Sequence, residues 1–252
     1  MNSVKFTKNN GVGVLTLNSP KKRNALKSEA MVLIRDLLYS EAKSDIYALI
    51  ISGEGEVFCS GADFSELISI IGQNRQNQEL QSNDMSNLCD SIQNFPHPTV
   101  CALNGSAYGG GVEIACACDF RISVPDIEIM VPPAKIGIHY HPAGIKRFLN
   151  IFGQAVTKKL LITATKISEE ELKGVGFFDQ IINDGENVIE QAHSFIKRVK
   201  ELSSEAVTGM KLSINDIIMD SVHDDVLDER IEKALKSQYL EQRLKLIKEK
   251  NS

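Results

Sequence analysis

The sequence lacks the features that would assign it to several common functional classes. No apolar stretch reaches the roughly 20 residues that a membrane-spanning helix needs. The net charge is −5, and no cluster of Lys and Arg is interleaved with aromatic residues, so we expect no nucleic-acid partner. The first residues lack the apolar core of a signal peptide. These absences predict a cytoplasmic protein that binds neither nucleic acid nor a membrane.

The five cysteines form no metal-binding pattern. Cys116 and Cys118 do not have the spacing of a metal-binding pair, and no histidine or second cysteine pair completes a tetrahedral set. An odd number of cysteines in a chain expected in the cytoplasm favours buried free thiols. We therefore predict no metal site.

The composition that remains, 42% hydrophobic and 24% charged, is typical of a globular protein. Apolar runs predict strands at Val12–Leu17, 48–52, Thr99–Leu103 and 119–123. Helical periodicity occurs at 27–42, 67–71 and 80–95, and a polar stretch, 72–78, separates the last two. This alternation predicts an α/β fold with βαβ units and right-handed crossovers. From about residue 143 the pattern is mostly helical, with no second sheet, and we divide the chain into a core domain, 1–200, and a helical C-terminal region, 201–252.

Three consecutive glycines, 109–111, are the most informative local feature. They separate the strand Thr99–Leu103 from an apolar helical stretch that begins near Val112. Glycine leaves its backbone N–H accessible to a ligand, and a helix N-terminus adds partial positive charge. Glu113 follows in the first helical turn, where a carboxylate can act as base or acid. Peptide N–H donors beside one carboxylate predict a site that stabilises an oxyanion or an enolate.

A second glycine-containing loop, 60–63, also follows an apolar strand, so the two loops can direct N–H groups at one carbonyl oxygen. At this point the sequence resembles the crotonase (enoyl-CoA hydratase/isomerase) superfamily. The matching segments are KRNAL at 22–26, FCSGADF at 58–64, FPHP at 95–98, NGSAYGGGVEIA at 104–115, CDFR at 118–121, GIKRF at 144–148, TATKIS at 163–168 and GFFDQ at 176–180. They occur in the family's order and spacing over residues 1 to about 200.

The resemblance implies a β/α spiral core and a helical C-terminal oligomerisation region, assembled as a homotrimer or homohexamer. It implies an acyl-CoA substrate, with no cofactor other than the coenzyme A that the substrate carries. Ala62 and Gly110 would form the oxyanion hole, and Glu113 would move the proton. Contacts with coenzyme A or substrate fall to Lys22, Arg23, Ala25, Gly61, Asp63, Phe64 and Gly109.

The sequence departs from the family's hydratases after the strand predicted at 127–131. Those enzymes use two glutamates, and Pro133 stands where the second belongs. The following segment resembles family decarboxylases of malonyl-type thioesters, which carry a tyrosine at the spacing of Tyr140. If the segment is extended, His139 and His141 point away from Tyr140, and all three can instead pack beneath the loop or cap the next helix.

Three functions therefore stay open from the sequence. Enoyl-CoA hydratase/isomerase chemistry ranks first because Glu113 is present. Decarboxylation of a malonyl-type CoA thioester, with Glu113 and Tyr140 as catalytic residues, ranks close behind because it needs no second glutamate. A non-catalytic acyl-CoA-binding protein is the third. The polar stretch 72–78 is expected to form a flexible wall of the acyl pocket.

Overall fold

The computed structural model describes residues 3–66, 68–69 and 84–250. Of the helix predicted at 67–71, residues 68 and 69 are described, and both are helical. The polar stretch 72–78 and the start of the helix predicted at 80–95 lie outside the described residues. The remainder of that helix is present as Asp84–Gln93.

The larger sheet of the described chain is built on apolar strands that run side by side. Its order is β1-β2-β3-β5-β7-β10, in which only the β1–β2 pair is antiparallel. All residues of β3 and β5 are buried, as expected of parallel strands covered on both faces. Its strands are β1 Val4–Asn9, β2 Val12–Leu17, β3 Ala48–Gly53, β5 Thr99–Leu103, β7 Phe120–Ser123 and β10 Gln180–Ile181.

A second, smaller sheet packs beside the first, in the order β4-β6-β8-β9. Its strands are β4 Val57–Cys59, β6 Ser106–Tyr108, β8 Glu128–Met130 and β9 Ile167–Ser168. The half after residue 143 was expected to be helical without a second sheet; its described residues form no sheet of their own, but β9 extends this sheet and β10 extends the larger one. Strands of two or three residues are too short to leave an alternating pattern in the sequence.

Helices cover the sheets and make up most of the second half of the chain. The helix predicted at 27–42 is confirmed, and its apolar face, which includes Met31, Ile34 and Leu38, is buried. No helix in the described part of the chain is long and apolar enough to cross a bilayer. The helices are α1 Ser28–Glu41, α2 Asp84–Gln93, α3 Gly110–Ala117, α4 Pro142–Ile162 (kinked at Gly153), α5 Glu169–Gly174, α6 Val188–Ile196, α7 Ser204–Met219, α8 Asp224–Leu235 and α9 Gln238–Lys250.

The first helix of the C-terminal region is attached to the core by buried polar contacts. Lys211 of α7 is 8% exposed. Its Nζ donates to the carbonyl oxygen of His97 at 2.9 Å and pairs with Asp119 Oδ2 at 2.7 Å. Asn215 Nδ2 donates to the carbonyl oxygen of Gln93 at 2.6 Å. Helix α7 therefore folds back on its own core, whereas the domain boundary near residue 200 stays a prediction.

Candidate active site

The loop 22–26 and the glycine-containing loop 60–63 lie side by side. Leu26 N donates to Gly61 O at 2.8 Å, and Asp63 N donates to Leu26 O at 2.8 Å. These two bonds form a parallel bridge between Leu26 and Ala62. Because the bridge uses groups of the residues on either side of Ala62, the N–H of Ala62 itself is directed away from Leu26.

The glycine turn, 109–111, connects β6 to α3 and lies against the loop 60–63. Gly109 has φ 53° and ψ −123°, a conformation that residues with a Cβ rarely adopt, and its N donates to Met130 O at 2.8 Å. A Cβ placed on Gly61, whose φ is 85°, would lie 2.6 Å from the backbone N of Gly110. The two loops therefore approach each other as closely as their backbones allow, and both glycines are needed for the contact.

Two backbone N–H groups stand where these loops meet. Gly110 is the first residue of α3, so its N–H has no partner within the helix. Within the described ranges, neither Gly110 N nor Ala62 N donates a hydrogen bond to the protein. Both residues are partly exposed. Such donors can bind a negatively charged oxygen.

Glu113 lies in the first turn of α3 and is 2% exposed. Its two oxygens have different partners. Oε1 accepts from Arg147 Nη1 at 2.7 Å, and Oε2 accepts from Tyr140 Oη at 2.8 Å. Burial raises the pKa of Glu113 above its ordinary value, although the Tyr140 hydrogen bond and then the Arg147 charge oppose that rise. A carboxyl group whose pKa is raised by burial keeps its proton to a higher pH than an exposed one does.

Tyr140 reaches Glu113, and neither neighbouring histidine contacts this carboxylate. Its ring packs against Phe148 with 5.2 Å between ring centroids. A Cβ on Gly144 would lie 2.4 Å from Tyr140 Cε1 and 2.9 Å from Glu113 Cδ, so a glycine is required beneath the pair. Burial raises the pKa of Tyr140 well above its ordinary value, which keeps the hydroxyl protonated as a donor.

The two histidines have other contacts. His141 Nδ1 lies 3.1 Å from Ser86 Oγ and accepts from Ala143 N at 3.3 Å, so its side chain caps α4. His139 is exposed, and its Nδ1 lies 2.7 Å from the carbonyl oxygen of Tyr140. Capping of the next helix is thus confirmed for His141.

Arg147 is a site residue to which the sequence assigned no role. It lies on the buried face of α4, beside Phe148 and one turn after Gly144. Its Nε donates to Gln93 Oε1 at 2.8 Å, and its Nη2 contacts Asp90 Oδ1. An arginine on the apolar face of an amphipathic helix requires buried partners of opposite charge. The position of Arg147 in the helical pattern is therefore the sequence feature that could have predicted its role.

The residues assigned to coenzyme A lie on the loop 22–26, on residues 61–64 and on the glycine turn, and they differ in exposure. Lys22 and Arg23 are exposed, and Ala25 is partly buried. Lys22 Nζ pairs with Asp63 Oδ2 at 3.3 Å. Asp63 also accepts from Ser65, whose hydroxyl is the largest cause that lowers the pKa of Asp63 to about 2.

Phe64 is 56% exposed, which leaves its ring available for an apolar or stacking contact. Asn24 holds the loop 22–26 against the segment 54–58. Its buried Nδ2 donates to the carbonyl oxygens of Glu54, Val57 and Phe58.

Comparison with known proteins shows the family of the chain. The family model for enoyl-CoA hydratase/isomerase matches residues 7–243. The chain belongs to the enoyl-CoA hydratase/isomerase family, the crotonase superfamily. It is 30% identical over 211 residues to a Bacillus subtilis protein named "Probable enoyl-CoA hydratase", covering 83% of this chain and 81% of the relative. It is 29% identical over 210 residues to ethylmalonyl-CoA decarboxylase of Mus musculus, covering 82% and 65% of the two chains.

Solved structures confirm the crotonase-like fold class. An enoyl-CoA hydratase from Bacillus anthracis superposes with a TM-score of 0.86 over 99% of this chain and 97% of that chain, at 22% identity. The mixed α/β core and the helical C-terminal region of the family are therefore both present.

The position of the family's second glutamate provides no carboxylate in this enoyl-CoA hydratase/isomerase homologue. Pro133 opens a short 3₁₀ helix, Pro133–Ile136, after β8. In the described part of the chain, Glu113 hydrogen bonds with no other carboxylate, and Asp90 is linked to it through Arg147. At the start of α3 the described site contains one buried carboxylate, that of Glu113, and the buried carboxylate of Asp63 lies in the loop 60–63 and pairs with Lys22.

Proposed function

We propose that this protein is an acyl-CoA enzyme that forms a thioester enolate, with Glu113 as its proton-transferring group. Membership in the enoyl-CoA hydratase/isomerase family supports an acyl-CoA substrate. The observation that carries the proposal is the buried carboxylate of Glu113 in the first turn of α3, beside two backbone N–H groups, those of Ala62 and Gly110, that have no acceptor among the described residues. Ala62 N and Gly110 N would donate to the thioester oxygen, and each such donor is worth about 3 kcal/mol in a transition state.

Isomerisation of an enoyl-CoA suits the single carboxylate better than hydration does. To shift a 3,4 double bond, Glu113 takes a proton from the α-carbon, the electron pair moves to the thioester oxygen, and the proton returns at the γ-carbon. One carboxylate can carry that proton in both steps. Hydration also requires a group that activates water, and Pro133 has neither a proton nor a charge for that purpose.

Decarboxylation of a malonyl-type CoA thioester is the second candidate. In that reaction the bond from the α-carbon to the carboxylate breaks, CO₂ leaves, and the electron pair forms the same enolate. A proton then reaches the α-carbon. The Tyr140 hydroxyl donates a hydrogen bond to Glu113 Oε2 at 2.8 Å, so a protonated group lies beside the Glu113 carboxylate and can supply this proton. This contact favours the second candidate. Similarity to ethylmalonyl-CoA decarboxylases also supports it.

Exchange of the α-proton with solvent deuterium tests the enolate without presupposing the product. The enzyme is incubated in D₂O with a panel of saturated acyl-CoA thioesters, and deuterium is measured by mass spectrometry. We expect exchange in the wild type and its loss in Glu113→Gln. Parallel assays with crotonyl-CoA, a 3-enoyl-CoA and a malonyl-type CoA then separate hydration, isomerisation and CO₂ release. Tight binding of a CoA thioester with no exchange would support the non-catalytic function instead.

Residues of the loop 22–26, of the segment 61–64 and of the glycine turn are proposed to bind coenzyme A. The residues concerned are Lys22, Arg23, Ala25, Gly61, Asp63, Phe64 and Gly109. Exposed cationic groups at 22 and 23 can pair with the phosphates, and the exposed ring of Phe64 can contact the adenine or pantetheine. Lys22→Ala should raise the Kd for CoA without abolishing binding, because the backbone contacts of the loop persist.

A homotrimeric or homohexameric assembly is also proposed. Helix α7 exposes Met210, Ile214 and Ile217, which are 59%, 55% and 58% exposed and share one helical face. Large apolar side chains exposed together at this spacing indicate a surface that another protein chain covers. Light scattering after size-exclusion chromatography tests this assembly, and Ile214→Lys should shift the protein towards a monomer.

A further inference from the structure

The guanidinium of Arg147 sits between two carboxylates and is almost fully enclosed. Its side chain and that of Glu113 are each 2% exposed, whereas that of Asp90 is 44% exposed. Nη1 binds Glu113, Nη2 binds Asp90, and Nε binds Gln93. Each nitrogen of the guanidinium therefore has an acceptor of its own. Because all three nitrogens are engaged by protein acceptors, and one of these acceptors is Glu113, we expect Arg147 to act on catalysis through Glu113.

Burial alone would keep Glu113 protonated, because removing a carboxylate from water strongly disfavours its charged form. The charge of Arg147 opposes that effect at 2.7 Å. Asp90 acts in the other direction, since its negative charge raises the pKa of Glu113. The other titratable groups that face Glu113 are Tyr140 and the buried thiols of Cys89 and Cys116.

We propose that Arg147 is a positioning residue that holds Glu113 as an ionised carboxylate, with Oε2 directed at Tyr140, and that Gln93 and Asp90 fix Arg147 in place. This inference deepens the proposed function and rests on Glu113 being the proton-transferring group. The two oxygens of Glu113 therefore have different roles. Oε1 is held in the ion pair with Arg147, and Oε2 stays on the side of Tyr140. Beside burial and the Tyr140 hydrogen bond, the opposing charges of Arg147 and Asp90 then shift the pH at which Glu113 accepts a proton.

The test combines variants whose expected effects have opposite signs. Arg147→Met removes the cation and keeps much of the side-chain volume. Asp90→Asn removes the distal negative charge and keeps an oxygen that can accept from Nη2. Arg147→Lys restores a cation without the planar fork. Lys146→Met is the matched control, because Lys146 is the preceding residue of α4 and pairs with Asp220 at 2.5 Å, away from Glu113.

Two readouts are taken for each protein across pH. The first is the rate of α-proton exchange in an acyl-CoA, with kcat and KM determined separately. The second is the infrared band of the protonated Glu113 carboxyl, assigned by its loss in Glu113→Gln, which needs no turnover. Arg147→Met should move the acid limb of kcat and the infrared titration to higher pH by at least about one unit, the scale on which an opposite charge acts. KM should change little, since Arg147 does not reach the substrate.

Asp90→Asn should move both curves to lower pH, Arg147→Lys should move them less than Arg147→Met, and Lys146→Met should leave them in place. An unshifted titration in Arg147→Met, or a shift to higher pH in Asp90→Asn, would overturn the inference. If Arg147→Met does not fold, Arg147→Lys and Asp90→Asn decide by the direction of their shifts. Infrared shifts as expected, in a wild type that shows no exchange, would refute the proposed function and leave the role of Arg147 intact.

Discussion

Replacing Gly111 by alanine should destabilise the protein far more than the same change at Gly110. A Cβ on Gly111 would lie 2.3 Å from the carbonyl oxygen of Cys59, 2.8 Å from its carbonyl carbon and 2.9 Å from its Cβ. The backbone of Cys59 would have to retreat by about 1 Å to restore ordinary van der Waals contact. Cys59 is fully buried in β4, and its Sγ accepts from Gly61 N and donates to Asn24 O, each at 3.3 Å.

The expected loss of stability in Gly111→Ala follows from the close packing around Cys59. Interiors are close-packed, and overpacking by one methyl group costs about 1–3 kcal/mol, or more where backbone must move. We therefore expect Gly111→Ala to lower the free energy of unfolding by about 3 kcal/mol. The displaced Cys59 would also move the loop 60–63 away from the glycine turn, so α-proton exchange should fall even where the protein remains folded.

Gly110→Ala is the matched control. The three atoms nearest to its Cβ would all belong to the side chain of Met85, at 2.5 Å for Cε, 2.7 Å for Sδ and 2.9 Å for Cγ. A methionine side chain can change rotamer, so the expected loss is below about 1 kcal/mol. Urea unfolding followed by far-ultraviolet circular dichroism measures both variants, because the sequence contains no tryptophan. Equal midpoints for the two variants, or a larger loss in Gly110→Ala, would refute the reasoning.

Three further predictions concern titrating groups. Tyr140→Phe removes a hydrogen bond that lowers the pKa of Glu113, so the acid limb of α-proton exchange should move to higher pH, and an unchanged limb would contradict the assigned contact. Asp63 has its pKa lowered to about 2, so its stabilisation is present above its unfolded value and is lost as pH falls through about 2. Asp63→Asn should therefore lower the free energy of unfolding at neutral pH, measured by urea unfolding, and the difference should shrink near pH 2. All five cysteines are free and buried, and burial raises the pKa of Cys59 to about 12, so a thiol reagent should react at mildly alkaline pH only after urea unfolds the protein.

Local sequence patterns predicted the longer elements well. Val12–Leu17 and Thr99–Leu103 are strands with the expected bounds, since continuous apolar runs between turn residues are typical of buried parallel strands. The helix expected near Val112 begins two residues earlier, at Gly110, because the glycine turn ends in the helix itself. Strands such as β4 and β6 were missed, since three residues give no periodicity.

In the candidate site, too, local motifs predicted some residues, and tertiary packing brings in the others. Glu113 and Tyr140 were predicted from the glycine turn and from a family spacing, and the structure brings them within 2.8 Å. Arg147 is 34 residues from Glu113 in the chain and joins it only because α3 and α4 pack together. Gln93 and Asp90 belong to a third helix. A network assembled from three helices depends on tertiary packing, which motif spacing within one sequence does not contain.

The electrostatics of Glu113 argue that its carboxylate is retained for chemistry rather than for stability. Its folded pKa lies above the unfolded value, so the stability it contributes is present below the unfolded pKa and is lost as pH rises through the folded one. A neutral glutamine would accept from Arg147 through its single oxygen and donate to Tyr140 Oη through its amide nitrogen, without that loss, and Arg147 would keep Asp90 as its counterion. A fold that needed only a packed polar side chain here would be more stable with the amide. A carboxylate held at such a cost, beside the N–H groups of Ala62 and Gly110 that have no acceptor among the described residues, suits the proton transfer proposed for this protein.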